Sequence, residues 1–174
     1  TTDVDNTVII GNAAGYSGNM TSDADGTVLI GAEAGTGITS GIGNTAIGYE
    51  ALKVEDDGDF NTAIGYQALK DQTGVSGTVS NTAVGYRAGY AITTGNTNQL
   101  FGRSAGVALT TASGSTFIGN EAGGAVTTGN HNIGIGHDAM NGGTTTGDNN
   151  IAIGTQALDA VTSGHDNIGI GHEA

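Results

Sequence analysis

Asn44-Thr45-Ala46-Ile47-Gly48-Tyr49-Glu50-Ala51-Leu52 returns almost unchanged as Asn61-Thr62-Ala63-Ile64-Gly65-Tyr66-Gln67-Ala68-Leu69, and again as Asn81-Thr82-Ala83-Val84-Gly85-Tyr86-Arg87-Ala88-Gly89. Aligned on the glycine, the chain holds ten copies, anchored at Gly11, Gly31, Gly48, Gly65, Gly85, Gly102, Gly119, Gly136, Gly154 and Gly171, mostly 17 residues apart with longer steps of 20, 20 and 18. Alanine stands three residues after every anchor, from Ala14 to Ala174. A period of this length means stacked units that touch only their neighbours, not a round core. The expectation is an all-β parallel β-solenoid (β-roll) of about ten turns, one array over residues 1–174. With no initiating Met and an end in mid-motif at Glu173-Ala174, the chain reads as a fragment of a longer fibrous protein.

Within each copy the residues three and one before the anchor alternate: Val28/Ile30, Thr45/Ile47, Thr62/Ile64, Gln99/Phe101, Ile133/Ile135 and their equivalents. Period two predicts a strand. Its bulky pair reads as one face, and the mostly small middle residue (Ala46, Ala63, Ala83, Gly134) as an outer one that either packs closely on another chain or is plain wall. The strand is bounded by turn residues, with Asn44, Asn61, Asn81, Asn132 and Asn150 at one corner and Gly48, Gly65, Gly85, Gly102, Gly119, Gly136 and Gly154 at the other. An apolar residue seven after the anchor (Ile38, Ile92, Leu109, Val126, Val161) suggests a second short strand. The longer steps place insertions at Ser17 to Asp25 and Asp71 to Ser80, on one side of the array. Segments such as Tyr49 to Val54 are too short and too interrupted by glycine for more than a turn or two of helix. One unit buries too little to fold alone, so ladders to the units above and below must hold it, giving a rod of about 50 Å at roughly 4.8 Å per turn.

A formal charge of −13, from 17 acidic and 4 basic residues, repels phosphate, which argues against nucleic acid and anionic membrane surfaces as partners. No run is long and apolar enough for a membrane span. Without cysteine there is no disulfide framework or thiolate chemistry. Neither a Gly-x-x-x-x-Gly-Lys-Ser/Thr loop nor a Gly-x-Gly-x-x-Gly fingerprint occurs, and no nucleophile, base and orienting acid recur together. The expectation is a protein that is not an enzyme.

Four columns could carry chemistry. Tyr49, Tyr66 and Tyr86 follow the anchor in three successive units and should stack as a ladder, a candidate glycan contact set beside the plainer role of packing over the corner. Thr93-Thr94, Thr110-Thr111, Thr127-Thr128 and Thr144-Thr145 should form ranks of hydroxyls and methyls, the surface an ice-binding solenoid needs, although Asp56-Asp57 and Thr73-Gly74 interrupt the column. Glu55, Asp56, Asp57 and Asp59, with Asp23 and Asp25 in the first insertion, admit calcium as the one possible cofactor, but neither stretch has the spacing of an EF-hand or of a Gly-Gly-x-Gly-x-Asp calcium roll, which favours a solvated loop. His131, His137, His165 and His172 lie in the last third of the chain. The two that share a column, His137 and His172, are two turns apart, too far for one ion within a chain.

Units such as Asn44-Thr45-Ala46-Ile47-Gly48 and Asn150-Ile151-Ala152-Ile153-Gly154 resemble the head repeats of trimeric autotransporter adhesins, whose units run Asn-Ser-Val-Ala-Ile-Gly. The longer Ala88-Gly89-Tyr90-Ala91-Ile92-Thr93-Thr94-Gly95-Asn96 is similar to repeats of phage and virus tail-fibre proteins. The resemblance covers the whole chain and implies a left-handed roll, a homotrimer, and an extracellular place on a virion or cell surface with a host receptor or glycan as partner. It carries over no site residue. The 17-residue unit, and Thr where the adhesins favour Val, depart from that pattern. Two alternatives stand beside an attachment module: an ice-binding solenoid acting through the Thr ranks, and a filament-forming subunit joined through unpaired end strands.

Overall fold

The structure is a computed structural model that describes residues 6–16, 20–21, 24–73 and 76–174. Ten three-residue strands stack into one parallel sheet: β1 (Val8–Ile10), β2 (Val28–Ile30), β3 (Thr45–Ile47), β5 (Thr62–Ile64), β7 (Thr82–Val84), β8 (Gln99–Phe101), β9 (Thr116–Ile118), β10 (Ile133–Ile135), β11 (Ile151–Ile153) and β12 (Ile168–Ile170). Each pairs with the copy before and after it in matching register, Thr45 on Val28 and Thr62 on Thr45, so the chain makes nine complete turns between its first and tenth strands. This is the parallel β-solenoid read from the repeat.

The anchor glycines are required twice over. All ten have φ between 131° and 143°, which an L side chain rarely adopts, and from Gly11 to Gly154 a Cβ would collide with the carbonyl group of the next anchor. At the opposite corner the asparagines form a buried amide ladder. Asn44 Oδ1 accepts from the Asn61 backbone N at 2.9 Å and from Asn61 Nδ2 at 3.1 Å, while Asn44 Nδ2 donates to Gly58 O at 2.8 Å. Asn81, Asn98, Asn132 and Asn150 likewise donate to a carbonyl of their own coil while accepting from the next.

The two faces of the strand are the reverse of the plainest reading of the bulky pair. The middle residues Leu29, Ala46, Ala63, Ala83, Leu100, Phe117 and Ala152 are fully buried, whereas the flanking Val, Thr and Ile residues point outward. The interior is a narrow slot already occupied by the alanines three after each anchor and by the residues four and seven after it, so the strand centre must be small or must be given room. The room is allotted turn by turn. Leu29 faces Gly35, Leu100 faces Gly106 and Phe117 faces Gly123, where a Cβ would strike the facing side chain. Ala46 goes instead with Leu52, Ala63 with Leu69 and Gly134 with Met140, all three larger residues fully buried. Large never meets large across the slot, which keeps the packing close without strain.

The second half of the unit is mostly irregular where a second strand was expected. Among the described residues only β4 (Gly58–Asp59) with β6 (Gly77–Thr78) and an isolated bridge between Val126 and Thr145 pair there. The segments weighed as short helix are turns. Of the first insertion, Asp23 lies outside the described residues, as does Gly74 in the second.

Candidate interaction surfaces

Because the strand centres point inward, the columns three and one before the anchors form an outward face running the length of the sheet. It carries Val8, Val28, Ile133, Ile151 and Ile168 in one column and Ile10, Ile30, Ile47, Ile64, Val84, Phe101, Ile118, Ile135, Ile153 and Ile170 in the other. Even in the sheet interior Phe101, Ile118 and Ile153 keep 39%, 40% and 37% of their surface exposed, held side by side by neighbours above and below but covered in front by none of the described residues. Ten strands at roughly 4.8 Å and three residues at about 3.3 Å make an uncharged face near 43 Å by 10 Å, apolar throughout in the column just before the anchors and polar at Thr45, Thr62, Thr82, Gln99 and Thr116 in the other. A continuous apolar file of this length is a candidate contact surface.

One edge of this face carries the tyrosines. Tyr49 and Tyr66 stack with ring centroids 5.2 Å apart, Tyr66 and Tyr86 at 5.4 Å, with interplanar angles of 23° and 10°. The ladder forms, and it spends ring faces on itself: Tyr66 is covered on both sides, so edges and hydroxyls are what a ligand would meet. Beside it runs a charged column. Lys53 Nζ lies 2.6 Å from Glu33 Oε2 and 2.7 Å from Glu50 Oε1, Gln67 Nε2 donates to Glu50 Oε2 at 2.7 Å, and Lys70 Nζ reaches Glu50 Oε2 at 3.1 Å. The Lys53 hydrogen bond, with those from Gln67 and Lys70, lowers the Glu50 pKa to about 2 against the opposing effect of burial. The Glu50 charge in turn raises the Tyr49 hydroxyl. Arg87 lies over the Tyr90 ring at 4.0 Å, an attraction between cation and ring face.

The threonine ranks are partly consumed by the coil. Thr93 Oγ1 donates to Thr110 O at 3.2 Å, Thr110 Oγ1 to Thr127 O at 3.2 Å and Thr127 Oγ1 to Thr145 O at 3.5 Å. Thr94, Thr111 and Thr128 are exposed beside them. The one-residue insertion then displaces the rank: Thr144 is exposed, Thr145 is fully buried with Oγ1 donating to Val161 O at 2.7 Å, and Thr146 takes the exposed place.

Among the described residues, Glu55, Asp56 and Asp57 are the only group whose ligand atoms could converge on an ion. Glu55 is fully buried with both oxygens engaged: Oε1 accepts from Asp56 N at 3.0 Å and Gly58 N at 2.8 Å, and Oε2 accepts from Gln72 Nε2. Gln72 Oε1 accepts from Asn81 Nδ2 at 3.0 Å, joining this carboxylate to the asparagine ladder. Burial pushes the Glu55 pKa up. Its chemistry is that of an acceptor closing a turn at a position where Ile38, Ile92, Leu109, Val126 and Val161 are apolar and where the next turn has its partner Gln72, and only Asp56 and Asp57 remain to face an ion. The histidines are scattered: His137 Nδ1 lies 3.0 Å from Asp138 Oδ2, and His165 Nδ1 accepts from Asp148 N at 2.9 Å.

No family model matches the chain, and neither a curated protein nor a solved structure was found that matches it. The long apolar face is the feature the residue-by-residue reading missed. The signal was present in the alternation itself, once the interior is recognised as too narrow for isoleucine at every turn.

Proposed function

We propose that this chain is a rod module of an extracellular attachment fibre, a virion tail fibre or a bacterial surface adhesin, in which three copies pack side by side through the outward face of the ten-stranded sheet. The observation that carries the reading is that face: apolar or uncharged side chains at every turn, none charged in either column from Val8 to Ile170, and no cover from the described residues. Anchor glycines keep its edge flat, and matching register keeps its columns straight, so equivalent turns of identical chains can meet at equal height around an axis parallel to the rod. The resemblance to adhesin and tail-fibre repeats supports a left-handed coil and a trimer. Such an assembly presents three equal copies of the tyrosine edge, and weak binding to a host receptor or glycan would be strengthened by that multiplicity.

The test is the mass in solution, by size-exclusion chromatography with light scattering on the 17.0 kDa chain. Three chains per particle support the reading. A monomer at micromolar concentration removes it.

A further inference from the structure

Asn141 belongs to the only Asn-Gly dipeptide in the sequence. It lies after β10, on a cavity of about 90 Å³ lined also by Asp138, Gly142, Gln156 and Asp159. Its Nδ2 donates to Asp138 Oδ1 at 3.0 Å and to Glu121 Oε2 at 3.4 Å. The peptide nitrogen that follows, Gly142 N, has no Cβ beside it and donates to no acceptor among the described residues. The ladder asparagines differ in both respects. Asn44, Asn61, Asn81, Asn132 and Asn150 are followed by Thr45, Thr62, Thr82, Ile133 and Ile151, whose side chains branch at Cβ and whose N–H groups each donate to the next turn at 2.8 Å. A nitrogen held in such a bond, behind a branched side chain, is not free to attack the side chain before it.

We propose that Asn141 is a self-modification site of the folded chain, with Gly142 N as nucleophile and water as the second reactant. Gly142 N bonds to Asn141 Cγ, the Cγ–Nδ2 bond breaks, and the Gly142 N–H proton leaves with Nδ2 as ammonia, giving a succinimide. Water adds to either ring carbonyl and opens it to aspartate or to the β-linked isoaspartate, with no change of oxidation state. The cavity beside Asn141 admits that water. The product replaces the amide that donated to Asp138 and Glu121 with a carboxylate facing both of them and Asp159. The eighth copy of the repeat is then held less well to the seventh, through the lost bond to Glu121, and to the ninth, through repulsion from Asp159, and the β-linked product also lengthens the backbone by one methylene at that corner.

The folded chain would be aged at mildly alkaline pH and its peptides resolved by mass spectrometry that separates aspartate from isoaspartate. The expected result is conversion at Asn141 several-fold ahead of every ladder asparagine and of Asn12, yielding both products, with an Asn141→Gln chain showing neither. Faster reaction at a ladder asparagine or at Asn12 overturns the proposal. So does an intact Asn141 in the folded chain under conditions where the urea-unfolded chain converts it. Asn141→Asp is expected to melt below Asn141→Gln, and equal melting would overturn the stated consequence for the coil.

Discussion

Two glutamate substitutions one face apart separate the inward and outward columns. Ala63 is fully enclosed at a strand centre, so Ala63→Glu forces a larger side chain and an unpaired carboxylate into the slot, a loss of about 4 kcal/mol or more from the single chain. Ile118 stands on the outward face with 40% of its surface exposed, so in an isolated chain the Ile118→Glu carboxylate reaches water and costs about 1 kcal/mol. In a side-by-side trimer the outcome reverses. Three carboxylates at one height are taken from water together, and even ~3 kcal/mol each adds to ~9 kcal/mol against assembly. At 1.4 kcal/mol per tenfold that weakens association by about a millionfold. Light scattering and far-ultraviolet circular dichroism read the two effects independently: Ile118→Glu is expected to be a folded monomer, and Ala63→Glu to lose its fold whatever its mass. An Ile118→Glu chain that stays trimeric refutes this face as the interface, and an Ala63→Glu chain with an unchanged melting curve refutes the inward placement of the strand centre.

Three further outcomes are expected. Ser115 interrupts the amide ladder, accepting from Asn132 N through Oγ at 3.2 Å and leaving Asn132 Nδ2 without the ladder oxygen its equivalents have; Ser115→Asn should add about 1 kcal/mol, a rise in Tm of about 2–4 °C by calorimetry. Gly65→Ala places a methyl group against the Gly85 carbonyl at φ +134°, so the array should split or unfold, and a Tm within a degree of the parent would contradict the required close approach. Glu50 is held at about 2 against an ordinary 4.5; because its folded value is depressed, its contribution is full above the ordinary value and disappears as pH falls through about 2. Thermal melts across that window should therefore show Glu50→Gln clearly below the parent near neutrality and converging with it at the acid end, and a constant gap would contradict the pairing with Lys53.

Much of the fold was legible because one period fixes several things together: the anchors, the strand between asparagine and glycine, and the parallel stacking. What each punctuating residue does was half visible. The left-handed preference of Gly48 and its equivalents follows from residue type, but the approach of successive anchor carbonyls is a relation between turns that no single unit contains. The same holds for the volume pairing in the slot. Leu29 with Gly35 and Ala46 with Leu52 are both in the sequence, yet a column-by-column reading sees only a variable strand centre and a variable fourth position. The tyrosine ladder was legible as a column; that its rings would turn their faces to one another depends on side-chain torsions. The threonine rank misled at its end because a single inserted residue moves Thr145 inward and hands its place to Thr146.

The face assignment shows how a physical rule can be right and its use wrong. Burial favours isoleucine over alanine residue by residue, and on that count Ile47 and Ile64 belong inside. A solenoid coil, however, has a fixed cross-section, and each large side chain placed inside at one corner removes space at another. Leu52 and Leu69 with Ala51 and Ala68 already fill it, so the strand centre is alanine and the isoleucines remain outside. Their exposure is then unaccounted for within the single chain, since all ten turns place an apolar residue just before the anchor, β-branched in every turn but that of Phe101, with no cover among the described residues. Isolated apolar residues at a surface need no explanation, but an unbroken file does. A second copy presenting the same file would supply such a cover, as proposed above, because the strand-to-strand distance that spaces the residues along one coil spaces them equally along the other.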